Sequence, residues 1–229
     1  MPLIRNQRFF PSREPLPRQA LLMCGYGGSI WQARRLVRTL NRAGYDVTAL
    51  DFPKSVLRSG DVTQLPQLTN EVVEFAEQLA REAAEPVLLV GISLGALLSL
   101  NILRRSQLFD AAVLITGGDI AKIAKRIYPR AWPQPYDELA QQWRDINMYT
   151  DPALLRGKRM LFVLHPSRKL IDITDVRTEI ARQRAAGNHM FAVERPQFDH
   201  VGTIVAETIL FPHRTLTYID QVKPAARRA

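Results

Sequence analysis

Residues 85–98, Glu85-Pro86-Val87-Leu88-Leu89-Val90-Gly91-Ile92-Ser93-Leu94-Gly95-Ala96-Leu97-Leu98, read as a strand, a sharp corner and a helix. Val87 to Val90 form the short continuous apolar run that a fully buried parallel strand needs. Gly91-Ile92-Ser93-Leu94-Gly95 then fits the G-x-S-x-G pattern. That spacing has a physical reason. A serine lifted clear of a sheet sits on a strained corner, and glycines two residues before and after it let strand and helix pass without side-chain collision. The Leu94 N–H then opens a helix, where developing negative charge is favoured.

On both sides of this stretch, strands and helices alternate. Residues 1–18 are polar and carry four prolines, leaving room for one short edge strand at most. Residues 18–24 read as a buried strand closed by Gly25-Tyr26-Gly27-Gly28. Residues 30–42 follow as a helix, with Ser29 as its N-cap and Gly44 as its stop. Tyr45–Leu50 is the next strand, 54–66 a loop, and Leu68–Ala84 a helix with Val72, Phe75 and Leu79 on one face. Beyond the central stretch come strands at 111–116, 159–164 and 189–193, and helices at 175–186 and 203–210. This alternation implies a parallel sheet covered on both faces by right-handed crossovers. Residues 119–157 break the rhythm with Pro129, Pro133, Pro135 and Pro152, and hold Trp132 and Trp143.

Composition narrows the function classes. A chain of 229 residues suits one α/β domain. The net charge of +9, from 31 basic and 22 acidic residues, suits anionic substrates or surfaces. The basic residues are scattered, however, and no nucleic-acid-binding signature accompanies them, so no nucleic-acid partner is expected. The one cysteine, Cys24, excludes an internal disulfide and a C-x-x-C metal site. The four histidines lack H-E-x-x-H spacing, and no metal or cofactor is expected. No run reaches the ~18 apolar residues of a membrane span, and residues 1–10 lack the apolar segment of a signal peptide, so the cytoplasm is the expected location. The oligomeric state is not legible.

A nucleophilic serine needs oxyanion donors, a base and an orienting acid. The turn Gly25–Ser29 leaves backbone N–H groups free, and those of Tyr26 and Leu94 are the candidate oxyanion donors. The candidate base is His200, between the last strand and the last helix. His165 ends a strand but comes too early in the chain, while His189 and His213 fall in a helix end and a tail.

Cys24-Gly25-Tyr26-Gly27-Gly28-Ser29 through Ala43-Gly44-Tyr45-Asp46-Val47 resembles the H-G-F-G-G … G-Y-x-V opening of α/β-hydrolase esterases. Gly91–Gly95 resembles their nucleophile elbow, and His200 their histidine. The resemblance spans residues 19–210 and implies a single α/β-hydrolase domain over 1–229, with 119–157 as an inserted helical lid. Cys24 stands where that family usually has histidine, a residue contributing mainly backbone. The family's aspartate is expected near Arg168-Lys169, but the chain reads His165-Pro166-Ser167-Arg168-Lys169-Leu170-Ile171-Asp172. Asp172 ranks first as the acid, then Asp119, then Asp175, which has a second reading as a helix cap. The function implied is a serine hydrolase that cleaves a small or medium acyl ester through an acyl-enzyme, with no cofactor. Two alternatives stand beside it: a catalytically degraded binding protein, and acyl transfer by the same serine. Trp132, Tyr136 and Trp143 either line an acyl pocket or form the lid's own small core.

Overall fold

The computed structural model describes residues 3–4, 6–14, 17–166 and 170–222. Seven strands form one sheet: β1 (Asn6–Phe10), β2 (Arg18–Met23), β3 (Tyr45–Asp51), β4 (Leu88–Ile92), β5 (Ala111–Ile115), β6 (Arg159–Leu164) and β7 (His189–Glu194). Their spatial order is β1-β3-β2-β4-β5-β6-β7. Only β1, the polar edge strand, runs antiparallel to its neighbour; every other pairing is parallel. The crossovers are α1 (Arg34–Arg42), α2 (Ser55–Arg58), α3 (Gln64–Glu82), α4 (Leu94–Arg105), α5 (Ile120–Ile127), α6 (Tyr136–Gln142) and α7 (Ile173–Ala185). After β7 come α8 (His200–Val205), a π-helical turn at Ala206–Leu210, and α9 (His213–Val222). None of these helices is long and apolar enough to cross a membrane.

The period-2 alternation of the strands feeds two cores, one on each face. Ala20, Leu22 and Cys24 of the β2 segment, with Leu88, Val90 and Ile92 of β4, pack under Leu36, Val37 and Leu40 of α1 and Tyr218, Ile219 and Val222 of α9. Leu21, Met23 and Leu89 point the other way, into a larger core with α3, α4, α5 and α6. Every residue of β4 is buried, the condition for a central parallel strand.

Several boundaries differ from the sequence reading. The helix expected from residue 30 starts at Arg34, and its N-cap is Ala33 rather than Ser29, with no side-chain cap. Residues 54–66 are not a plain loop. Val56 and Leu57 of α2 are buried, and α3 starts at Gln64 with Pro66 in its first turn, where proline has no helical N–H bond to lose. The last part of the chain, read as a tail, holds α9; Thr215, Tyr218, Ile219 and Val222 are buried at helical spacing.

Candidate active site

The β4–α4 corner begins with a backbone constraint. Ser93 sits at φ 53, ψ −109, a conformation that costs a non-glycine residue about 1–3 kcal/mol. The surroundings hold it there. The Ser93 N–H donates to the Ile115 carbonyl at the end of β5 (2.8 Å), and Ala96 N–H donates to the Ser93 carbonyl (3.0 Å). The two flanking glycines are obligatory by contact. A Cβ on Gly91 would lie 2.3 Å from the Gly95 carbonyl oxygen, and one on Gly95 would lie 2.1 Å from that of Met23. The corner thus packs directly on the end of β2 and raises the serine at the carboxyl edge of the sheet.

His200, the first residue of α8, meets it there. Its Nε2 lies 3.3 Å from the Ser93 Oγ. The helix expected from residue 203 therefore starts three residues earlier, capped by the Asp199 carboxylate, which accepts from Gly202 N–H at 2.7 Å. Burial, aided by the neighbouring His165 and opposed by Asp199, lowers His200 from its usual value to about 4. The imidazole is thus neutral at ordinary pH and its Nε2 can accept the serine proton.

The turn after β2 faces the same hollow. Gly28 N–H closes it by donating to the Gly25 carbonyl at 3.0 Å, with Gly27 at φ 69, which leaves the Tyr26 N–H outside the turn's own bond. The Leu94 N–H begins α4 and has no acceptor within the helix. Tyr26, Leu94, Ser93 and His200 all line one pocket of about 390 Å³. Its other walls are mostly apolar, among them Leu57, Leu97, Ile120, Ile123, Ile127, Val201, Ile204 and Val205. Cys24, on its floor, is no competing nucleophile, because burial and Asp51 push its thiol up to about 12.

The acid is not placed as expected. Among the described residues the buried His200 Nδ1 makes no hydrogen bond, so none of the three candidate aspartates orients it. Asp172 caps α7, accepting from Thr174 N–H at 3.0 Å. Asp119 caps α5 and accepts from Ala121 N–H, Lys122 N–H, Asn147 Nδ2 and the Tyr136 hydroxyl, the last at 2.6 Å. Asp175 pairs with Lys122. Positions 168 and 169, where the resemblance put the acid, lie outside the described residues. The group beside His200 is instead His165, whose ring stands edge-on at 5.4 Å between centroids. Chain order argued against His165. Its place at the end of β6, next to the strand that leads to His200, was the signal for it.

Trp132 and Trp143 do not line the pocket. They are fully buried, pack edge-on with centroids 4.9 Å apart, and belong to the main core rather than to one of their own. Their indole N–H groups donate to the carbonyls of Leu57 and Val62. Tyr136 is occupied by Asp119. Segment 119–157 reaches the pocket through α5.

A sequence model described as an alpha/beta hydrolase family matches residues 20–215. No curated protein matches the chain. Among solved structures, an esterase of Pyrococcus furiosus is 17% identical, with a TM-score of 0.63 over 90% of this chain and 84% of that one. The esterase domain of a Rhodothermus marinus protein is 16% identical, with a TM-score of 0.60 over 93% and 91%. A putative dienelactone hydrolase of Klebsiella pneumoniae is 15% identical, with a TM-score of 0.62 over 94% and 91%. At these identities the likeness is one of fold.

Proposed function

The chain belongs to the alpha/beta hydrolase family, and from that premise we propose that it is a serine hydrolase cleaving esters with a small or medium apolar acyl group. The observation that carries this reading is the Ser93 Oγ at 3.3 Å from the His200 Nε2, at a strained corner opening on an apolar pocket. Ser93 attacks the acyl carbonyl while His200 takes its proton. The Tyr26 and Leu94 amides receive the oxyanion. His200 returns the proton to the leaving alcohol, and water repeats the cycle on the acyl-enzyme. The acyl chain lies against Ile120, Ile123 and Ile127.

The bare Nδ1 of His200 shapes this proposal. The imidazolium formed during attack gains no carboxylate partner among the described residues, so the pair works as a dyad. Loss of an orienting acid costs up to about 10⁴ in rate in a full triad, and slow turnover is the expectation. The same observation favours a second reading, a degraded hydrolase that binds its ligand without turning it over.

A fluorophosphonate probe tests the first reading. It should label the wild-type chain and leave Ser93→Ala unlabelled; equal labelling of the two ends the claim. Turnover of p-nitrophenyl butyrate above background, lost in His200→Ala, rejects the binding-only reading. Added alcohols or thiols that divert the product would show transfer rather than hydrolysis.

A further inference from the structure

Beside the pocket lies a second hollow whose surface is almost wholly apolar, although three arginines wall it with their stems. It holds about 250 Å³ and is walled by Trp31, Gln32, Arg34, Arg35, Arg38 and Ile209. Gln32 and Ile209 also line the pocket that contains Ser93, so the two hollows share an edge. Arg35 Nη1 donates to the Ile209 carbonyl at 3.2 Å and ties α1 to the π-helical turn along that edge.

Apart from the Arg35–Ile209 bond, two features of this groove are left without a structural use among the described residues. Trp31 is 77% exposed, although an indole is among the most favourable side chains to bury. The outer face of α1 carries Arg34, Arg35, Arg38 and Arg42 without one acidic residue in the helix, and none of the four is in an ion pair among the described residues. Arg34 and Arg38 stand one turn apart, where like charges repel. A guanidinium is a planar fork that matches phosphate and carboxylate oxygens and also stacks on aromatic faces. Of the side chains that wall the groove, three are cations, one is the Gln32 amide, and none is acidic.

We propose that this groove binds an anionic group, a phosphate or carboxylate, carried on the alcohol side of the substrate. Arg34 and Arg38 hold the anion, and Trp31 covers the apolar stem next to it. The inference rests on the reading of Ser93 as nucleophile only in assigning the acyl side to the main pocket. It makes the substrate an anionic amphiphile and gives part of the net charge of +9 a specific use.

The test reads binding, not turnover. Ser93→Ala protein is titrated calorimetrically with monomeric octyl phosphate and with octanol at low salt. Octyl phosphate should bind at least about tenfold more tightly, a difference of about 1.4 kcal/mol. The preference should shrink with added salt and vanish in Arg34→Glu/Arg38→Glu, whose unfolding midpoint is measured alongside. Should that double variant fail to fold, Arg34→Gln and Arg38→Gln, made singly, should each lose part of the preference. Co-sedimentation with phosphatidylcholine vesicles, with and without phosphatidic acid, identifies the source of the anion. Preference for the acidic vesicles alone, lost in the same variants, places the anion on a lipid surface and supports the site. Equal affinity for both octyl ligands together with no vesicle preference overturns it, as does a preference undiminished in the variants. Anion preference without fluorophosphonate labelling of the wild type keeps the groove and removes the hydrolase; labelling without anion preference does the reverse.

Discussion

His200 shows how one side chain joins local chemistry to pH response. Its burial beside His165 depresses its pKa to about 4, from the usual 6.5. The unfolded chain therefore binds a proton below about pH 6.5 that the folded chain refuses until about pH 4. Stability contributed by neutral His200 is complete above 6.5 and is lost as pH falls through that window. A urea midpoint that drops from pH 6.5 to pH 4 in the wild type, and drops less in His200→Gln, is the expected result. In the proposed reaction the base stays deprotonated throughout the neutral range. The log of kcat/KM should then be level from pH 8 to 5 and fall only towards pH 4. A limb near pH 6.5–7 would show a charge-stabilised imidazole and contradict the bare Nδ1.

At the scale of elements, the site depends on how closely α4 crosses the end of β2. Gly95 has no room for a methyl group, because the Met23 carbonyl oxygen would be 2.1 Å from it and that of Cys24 2.9 Å. Both obstacles are backbone and cannot swing aside. Gly95→Ala should destabilise the chain by about 3 kcal/mol or more, at or above the upper end for overpacking, measured by urea unfolding. It should also remove fluorophosphonate labelling in whatever protein remains folded. Gly157, at φ 78 with nothing within 4 Å of a Cβ, makes a useful contrast. An alanine there should cost only the backbone strain of a left-handed residue, about 1 kcal/mol, and leave labelling intact.

Across the whole molecule, segment 119–157 is tied down by buried polar groups. Asn101 Nδ2 donates to the Ile146 carbonyl at 2.9 Å. Arg104 donates to the Asn147 carbonyl and the Thr150 hydroxyl, with further bonds to Asn101 and the Asp145 carbonyl. Burial lowers the Arg104 guanidinium to about 10, so it stays charged at neutral pH. Arg104→Met keeps much of the volume but leaves the Asn147 carbonyl and the Asn101 side-chain oxygen without their donor, and should cost about 2–3 kcal/mol. For a chain of this size that is a fall of about 4–12 °C in Tm, read by calorimetry. The serine–histidine pair does not touch Arg104, so labelling of the folded variant should persist. A variant as stable as the wild type would show that the Arg104 bonds do not hold the segment.

Local pattern by itself determined the strands and the elbow, while the choice of His200 rested on chain order and on the family resemblance. Val87–Val90, residues 18–24 and 159–164 are apolar runs whose burial any parallel sheet demands. Gly91 answers a steric need that arises within a few residues of chain, against the Gly95 carbonyl and the Ser99 hydroxyl, whereas the need at Gly95 comes from the distant end of β2. The tertiary structure decided what depends on side-chain direction across distant segments. Trp132 and Trp143 turn into the main core because carbonyls at Leu57 and Val62 accept their N–H groups, an alternative to the pocket that composition could not rank. Asp119 and Asp172 are spent on helix caps, the lowest-cost use of a carboxylate beside free N–H groups. The space beside His200 falls to His165, since adjacent parallel strands β6 and β7 end together in space although His165 and His200 are 35 positions apart in the chain.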